Sequence, residues 1–211
     1  MSEWPAMKKW ADLNYLKRVA GKRTVPIEIG SNYLSDDWGQ QLMPFEKFLD
    51  EYIQHPCSTT GYLAQHPLFE QIQPLRNDVI VPDYCALYDD TNAPASVDGV
   101  VNVNAWFGPA NTISPLHYDP GHNLLCQVVG KKYIRIYDPS ESSKLYPVEE
   151  GMCSNTSQVS VEDPQPELFP EFESAVYTEC ILSPGEMLYI PPTYWHYVRS
   201  LDISFSVSTW W

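Results

Sequence analysis

From Pro82 onward the chain is a succession of short alternating segments closed by glycine or proline: Val101 to Phe107, Leu124 to Val129, Tyr133 to Tyr137, Met187 to Ile190 and Ile203 to Thr209. A period of two sends successive side chains to opposite faces of a strand, and segments this short and this regularly punctuated are better strands than helices. The rhythm predicts an all-β sandwich or barrel with helices packed outside it. Trp4, Met7, Trp10, Leu13 and Leu16 stand at helical spacing before Gly21, which predicts one amphipathic helix over the first twenty residues. A second helix is expected from about Pro44 to Gln54, where Phe45, Phe48, Leu49 and Tyr52 share a face. The Pro- and acid-rich stretch from Glu149 to Glu173 breaks the periodicity and reads as a surface insertion.

With 211 residues, 44% of them hydrophobic, the chain suits one domain with one core. No run approaches the roughly 20 apolar residues of a membrane span, and charge between Ser2 and Lys9 excludes a signal peptide there. The five cysteines are scattered without a C-x-x-C pair, which argues for reduced thiols in a cytosolic or nuclear compartment and against a zinc knuckle. Asn155-Thr156-Ser157 matches a glycosylation acceptor, but no secretory signal supports its use. A net charge of −14 repels phosphate backbones and argues against direct nucleic-acid binding. It favours a Lys/Arg-rich polypeptide partner, or serves only solubility.

His117-Tyr118-Asp119 places an imidazole and a carboxylate two residues apart, on one face of extended backbone. His196, at the head of the final strand region, supplies a third ligand. Two histidines and one carboxylate form the facial triad that leaves open positions on ferrous iron. Five histidines among 27 acidic residues make such a doublet common by chance, so the triad needs its neighbourhood.

That neighbourhood is the strand Lys131 to Ile136. Lys132 shares a face with Ile134 and Ile136; if the isoleucines point inward, so does the lysine, and an inward lysine needs an anion. A dicarboxylate chelating iron at one end would present its far carboxylate to Lys132. If instead Arg135 and the tyrosines face inward, Lys132 is exposed.

Several motifs occur in order: N-A-W-F-G-P, T-I-S-P-L-H-x-D-P, an asparagine six residues after His117, G-K-K-Y-I-R, S-P-G-E and Y-W-H-Y-V. Together they resemble the jumonji-C domain, in the branch of jumonji-C domain-containing protein 5, also called lysine demethylase 8, and within it a plant member, from about Trp4 to Trp211. The resemblance implies a mainly β, cupin-like double-stranded β-helix (jelly roll) with flanking N-terminal helices. Residues 1–24 would be the end of a preceding helical region and residues 25–211 the catalytic domain. It implies Fe(II) on His117, Asp119 and His196, 2-oxoglutarate on Tyr62, Ser114, Asn123 and Lys132, and dioxygen as cosubstrate. It also places Glu28, Tyr33, Trp38, Gln65, Trp106 and Trp210 around the mouth of the site. Aromatic faces with one carboxylate suit a guanidinium or an alkylated ammonium, although core packing explains Trp106 and Trp210 as readily. His55, His66 and His122 read as surface or supporting residues.

The implied activity is oxidation of a basic side chain in a histone tail or another basic protein, either histone H3 lysine demethylation or arginyl C-3 hydroxylation. A nuclear as well as cytoplasmic location and transcriptional roles, including in the plant clock, are likewise implied. The alternative is a catalytically silent jumonji-like module that binds basic peptides. A zinc hydrolase with the same ligands lacks an evident general base and leaves Lys132 unexplained.

Overall fold

The computed structural model describes residues 1–55, 58–87, 101–149, 151 and 153–211. Eleven strands form two antiparallel sheets among them: β1 Thr24–Ile29, β2 Gly39–Pro44, β3 Gly61–His66, β4 Asn102–Gly108, β5 Ile113–Tyr118, β6 Asn123–Val129, β7 Lys132–Tyr137, β8 Tyr177–Leu182, β9 Met187–Ile190, β10 Trp195–Ser200 and β11 Ser204–Trp210. The major sheet runs β2-β1-β3-β4-β11-β6-β9 and the minor sheet β5-β10-β7-β8. Strand β4 pairs with β11, β5 with β10, β6 with β9 and β7 with β8. These nested pairs make one long antiparallel ribbon folded across two sheets, the jelly roll expected from the motifs.

The alternation is turned inside out. On β11, Phe205 and Val207 face the helices on the outer side of the major sheet, while Ser204, Ser206 and Ser208 are buried on its other face. Phe205 stacks on Phe107 of β4 at 4.4 Å and meets Trp10 at 4.3 Å. Each buried phenylalanine there contributes roughly 1.5–3 kcal/mol. Between the sheets the inward serines hold Gln127, which accepts from Ser206 and donates to Ser204 and to the carbonyls of Val129 and Gly130. Gly130 turns β6 into β7 at φ +68°, and a side chain there would strike the Ile203 carbonyl. This turn sets the register of Lys132, which pairs with Ser200 of β10 and Leu182 of β8.

The first twenty residues form two helices, α1 (Ala6–Lys9) and α2 (Leu13–Ala20), in place of the single helix expected. Asp12 interrupts them because its side chain accepts from the N–H of Asn14 and caps α2. The buried Asp78 carboxylate ties both to the domain, accepting from Lys9 (2.6 Å), Trp10 (3.1 Å) and Tyr15 (2.5 Å). The second expected helix starts as α3 (Phe45–Phe48) and widens to a π-turn over Leu49–Gln54. The segment from Glu149 to Glu173 is more than a surface insertion: Thr156, Ser157, Val159 and Phe172 are buried, the last two in the cluster behind the minor sheet. His196 lies on β10, the penultimate strand. No helix among the described residues is long and apolar enough to cross a membrane.

Candidate metal centre and its two chambers

His117 near the end of β5 and His196 near the start of β10 are direct cross-strand partners, so strand pairing alone brings their rings to 4.2 Å. Asp119, two residues beyond His117, turns to the same side. Its Oδ1 lies 3.9 Å from His117 Nε2 and its Oδ2 3.6 Å from His196 Nε2. The three groups offer ligand atoms within 4.8 Å of one another and could hold a metal ion. Each Nδ1 meets a backbone carbonyl two residues back, Pro115 at 2.7 Å and Tyr194 at 3.1 Å. The proton therefore sits on Nδ1, and both Nε2 lone pairs face Asp119, the tautomer a metal needs. Burial, reinforced by His117 and opposed by Asp119, holds His196 down at about 4, so it stays neutral at physiological pH. Asp119 Oδ2 is buried without a hydrogen-bond partner, as expected of an atom reserved for a cation.

Behind the triad an inner chamber lies between the sheets, walled by Ser114, Asn123, Leu125, Lys132, Val198 and Ser208. Lys132 is 2% exposed, so it points inward with Ile134. Its Nζ lies 3.3 Å from the Tyr62 hydroxyl and near the Tyr62 and Trp106 rings. No described carboxylate pairs with it, and burial pushes it down to about 7. Asn123 Oδ1 and Trp210 Nε1 are also buried without partners. Tyr62, its hydroxyl raised by burial, also bonds Ser114 and Thr112. A lone buried cation at one end, unpaired polar atoms along the walls and a metal-binding cluster at the other end fit a chelating dicarboxylate such as 2-oxoglutarate.

An outer chamber of about 450 Å³ opens from the triad and includes Glu28, Tyr33, Gln65, Trp106, Asn155 and Trp210 in its wall. Burial raises the Glu28 carboxyl, while a hydrogen bond from Trp38 opposes the rise. Trp38 is thus joined to the chamber through Glu28 without lining it. Tyr33 is pushed up to about 12, mainly by burial, and its hydroxyl lies 3.4 Å from Thr156 Oγ1. Gln65 enters the wall from a kink in β3 at φ +45°. Trp106 and Trp210 line both chambers and belong to neither hydrophobic cluster of the outer faces; Trp106 donates to Ser208 at 2.8 Å. His122 sits apart, bonded to Tyr189 and stacked on Trp211, and His66 meets Gln71. Sequence reasoning missed Cys153, Asn155 and Thr156, which close the outer chamber from within the supposed insertion.

A jelly roll with a two-histidine, one-carboxylate cluster between its sheets defines the cupin class. The chain belongs to the cupin-like domain family, which matches residues 1–211. Within it the chain is of the jumonji-C type. It is 53% identical over 211 residues to "Lysine-specific demethylase 8" of Xenopus tropicalis, an alignment covering 100% of this chain and 46% of that protein. Identity is 52% over 219 residues to "JmjC domain-containing protein D" of Dictyostelium discoideum, covering 98% of this chain and 49% of the relative. It is 51% over 213 residues to "Lysine-specific demethylase JMJ30" of Arabidopsis thaliana, covering 100% and 48%. Near-equal identities to frog, amoeba and plant proteins do not single out a plant branch. The chain spans about half the length of these curated relatives.

Proposed function

We propose that this domain is an Fe(II)- and 2-oxoglutarate-dependent protein oxygenase acting on basic side chains. The observation that carries the reading is Lys132: a buried ammonium without an acidic partner among the described residues, lining the same chamber as the triad. His117, Asp119 and His196 would hold the iron. Lys132 and the Tyr62 hydroxyl would take the far carboxylate of 2-oxoglutarate, with Ser114 and Asn123 along its length. When bound, the two supply oxidative decarboxylation coupled to hydroxylation, in which dioxygen divides between succinate and a substrate C–H bond and carbon dioxide leaves. The protein's part is to orient and to exclude water. Strand pairing fixes the histidines, Trp106 and Trp210 line both chambers, and the outer wall would hold the target side chain over the triad.

Glu28, Tyr33, Trp38, Gln65, Trp106 and Trp210 would receive that side chain. A half-buried carboxylate bonds a guanidinium through two parallel donors, whereas a dimethylated ammonium keeps one donor and a trimethylated one none. This favours arginine hydroxylation. The demethylase names of two relatives favour methyl-lysine, where hydroxylation of the N-methyl carbon releases formaldehyde. The acidic surface would draw in a histone tail or similar basic protein. A nuclear, transcription-linked role, which the motif resemblance implies, belongs to the same proposal. The deciding experiment incubates arginine and methyl-lysine peptides with iron and 2-oxoglutarate and reads them by mass spectrometry. Gain of one oxygen marks hydroxylation and loss of a methyl group marks demethylation. No change in any basic peptide, with the metal bound, would leave a silent peptide-binding module.

A further inference from the structure

The triplet Asn155-Thr156-Ser157 is sewn along the open edge of β5. Tyr118 donates its N–H to the Asn155 carbonyl at 2.9 Å, and the Asn155 side-chain amide donates back to the Tyr118 carbonyl at 2.8 Å. Both backbone polar groups of the residue between His117 and Asp119 therefore close on one asparagine. Thr156 forms an antiparallel bridge with His117, and Ser157 donates to the Leu116 carbonyl at 2.8 Å.

The Tyr118 carbonyl belongs to the peptide plane from which Asp119 departs, so fixing that oxygen fixes the rotation of the plane. The next plane is held from the opposite side: Thr193 donates its N–H to the Asp119 carbonyl at 2.8 Å. Thr193 does so at φ +65°, a conformation a β-branched residue adopts only under constraint. Asp119 is thus gripped through the peptide planes on both sides, one by a side chain.

We infer that Asn155 is a positioning residue for the candidate metal centre, its side-chain amide setting the direction in which Asp119 presents its carboxylate. The inference rests on the reading of His117, Asp119 and His196 as metal ligands. It also gives the acceptor-like triplet a structural role, since the Asn155 amide nitrogen is already committed to the Tyr118 carbonyl.

The test measures Mn(II) affinity of the whole chain by calorimetry for wild type, Asn155→Ala, Asn155→Leu, Asp119→Ala and Gln158→Ala, with thermal unfolding of each metal-free protein. Gln158 is a suitable control because its side chain also bonds a carbonyl on this segment, that of Pro147, away from the ligands. Both Asn155 variants should weaken Mn(II) binding about tenfold or more, the usual effect of losing a group that orients a ligand. Gln158→Ala should leave affinity unchanged, with similar unfolding temperatures throughout. Wild-type affinity in both Asn155 variants, while Asp119→Ala loses Mn(II), would overturn the positioning role alone. Wild-type affinity in Asp119→Ala would overturn the metal reading beneath it. Loss of the folded state in both Asn155 variants would also overturn the inference, assigning the residue to the fold.

Discussion

Replacing Lys132 by methionine should make the metal-free, cosubstrate-free domain more stable while weakening its affinity for 2-oxoglutarate. Burial lowers the lysine from 10.5 to about 7. At about 1.4 kcal/mol per pH unit, that fall amounts to about 4–5 kcal/mol opposing folding while the side chain stays charged. Below about pH 7 the lysine is charged in both the folded and unfolded chain, and the full opposition is present. Between about 7 and 10.5 the folded chain has shed the proton and the unfolded chain has not, so wild-type stability climbs with pH relative to the variant. Methionine fills nearly the same volume without a charge. The Tyr62 hydroxyl offsets part of the lysine's cost, so the expected gain near pH 6 is at least about 2 kcal/mol, shrinking towards pH 9. Denaturant unfolding across that range measures it, with calorimetry for 2-oxoglutarate on the metal-loaded protein. Affinity should fall at least about tenfold. A Lys132→Met protein that is less stable than wild type, or whose stability difference does not change with pH, would refute the argument that an unpartnered charge is held in readiness for an anion. Unchanged 2-oxoglutarate affinity would refute its assignment to the cosubstrate.

His117→Ala and Asp119→Ala should each abolish succinate formation while circular dichroism stays close to wild type; near-normal turnover in either would remove the iron assignment. Asp78→Ala strands the buried Trp10 donor and the partly buried Tyr15 hydroxyl and should cost about 3 kcal/mol in denaturant unfolding without touching Mn(II) affinity. A loss under about 1 kcal/mol would mean that the N-terminal helices are held by packing alone. Glu28→Gln should weaken arginine peptides by roughly 2 kcal/mol and methyl-lysine peptides by less, measured as separate affinities; equal losses would reduce Glu28 to general electrostatic attraction.

The metal cluster was legible because two of its residues obey a local rule: a spacing of two in extended backbone needs no tertiary knowledge. His196 was named from its place at the head of the final strand region, and the motifs supported it; its pairing with His117 across β5 and β10 is a long-range register that leaves no local mark. Lys132 was legible by parity, because Ile134 showed which face was buried. The same parity fails for β11, where alternation shows two faces but not which is interior. The helices claimed Phe205 and Val207, and the serines turned inward to form a polar chamber. The break between α1 and α2 was readable in Asp12, a capping residue inside a pattern interpreted only for its apolar spacing. The strand β5, with Pro115 at its centre, was not among the strands read from the alternation; it lies at the edge of its sheet, where proline is tolerated. The segment around Asn155 was illegible because much of its attachment is backbone to backbone, which no side-chain pattern records.

Labelled dioxygen tests the central claim most directly. Wild type is turned over with iron, 2-oxoglutarate and a basic peptide under isotopically heavy oxygen, and the label is followed into both products. A 2-oxoglutarate oxygenase places one heavy atom in succinate and the other in the hydroxylated peptide; formaldehyde released from a methyl group exchanges its oxygen with water, so with a methyl-lysine peptide the label is read in succinate. Heavy oxygen in neither product, or peptide oxygen derived from water, would contradict the account and return the site to hydrolytic or purely binding chemistry.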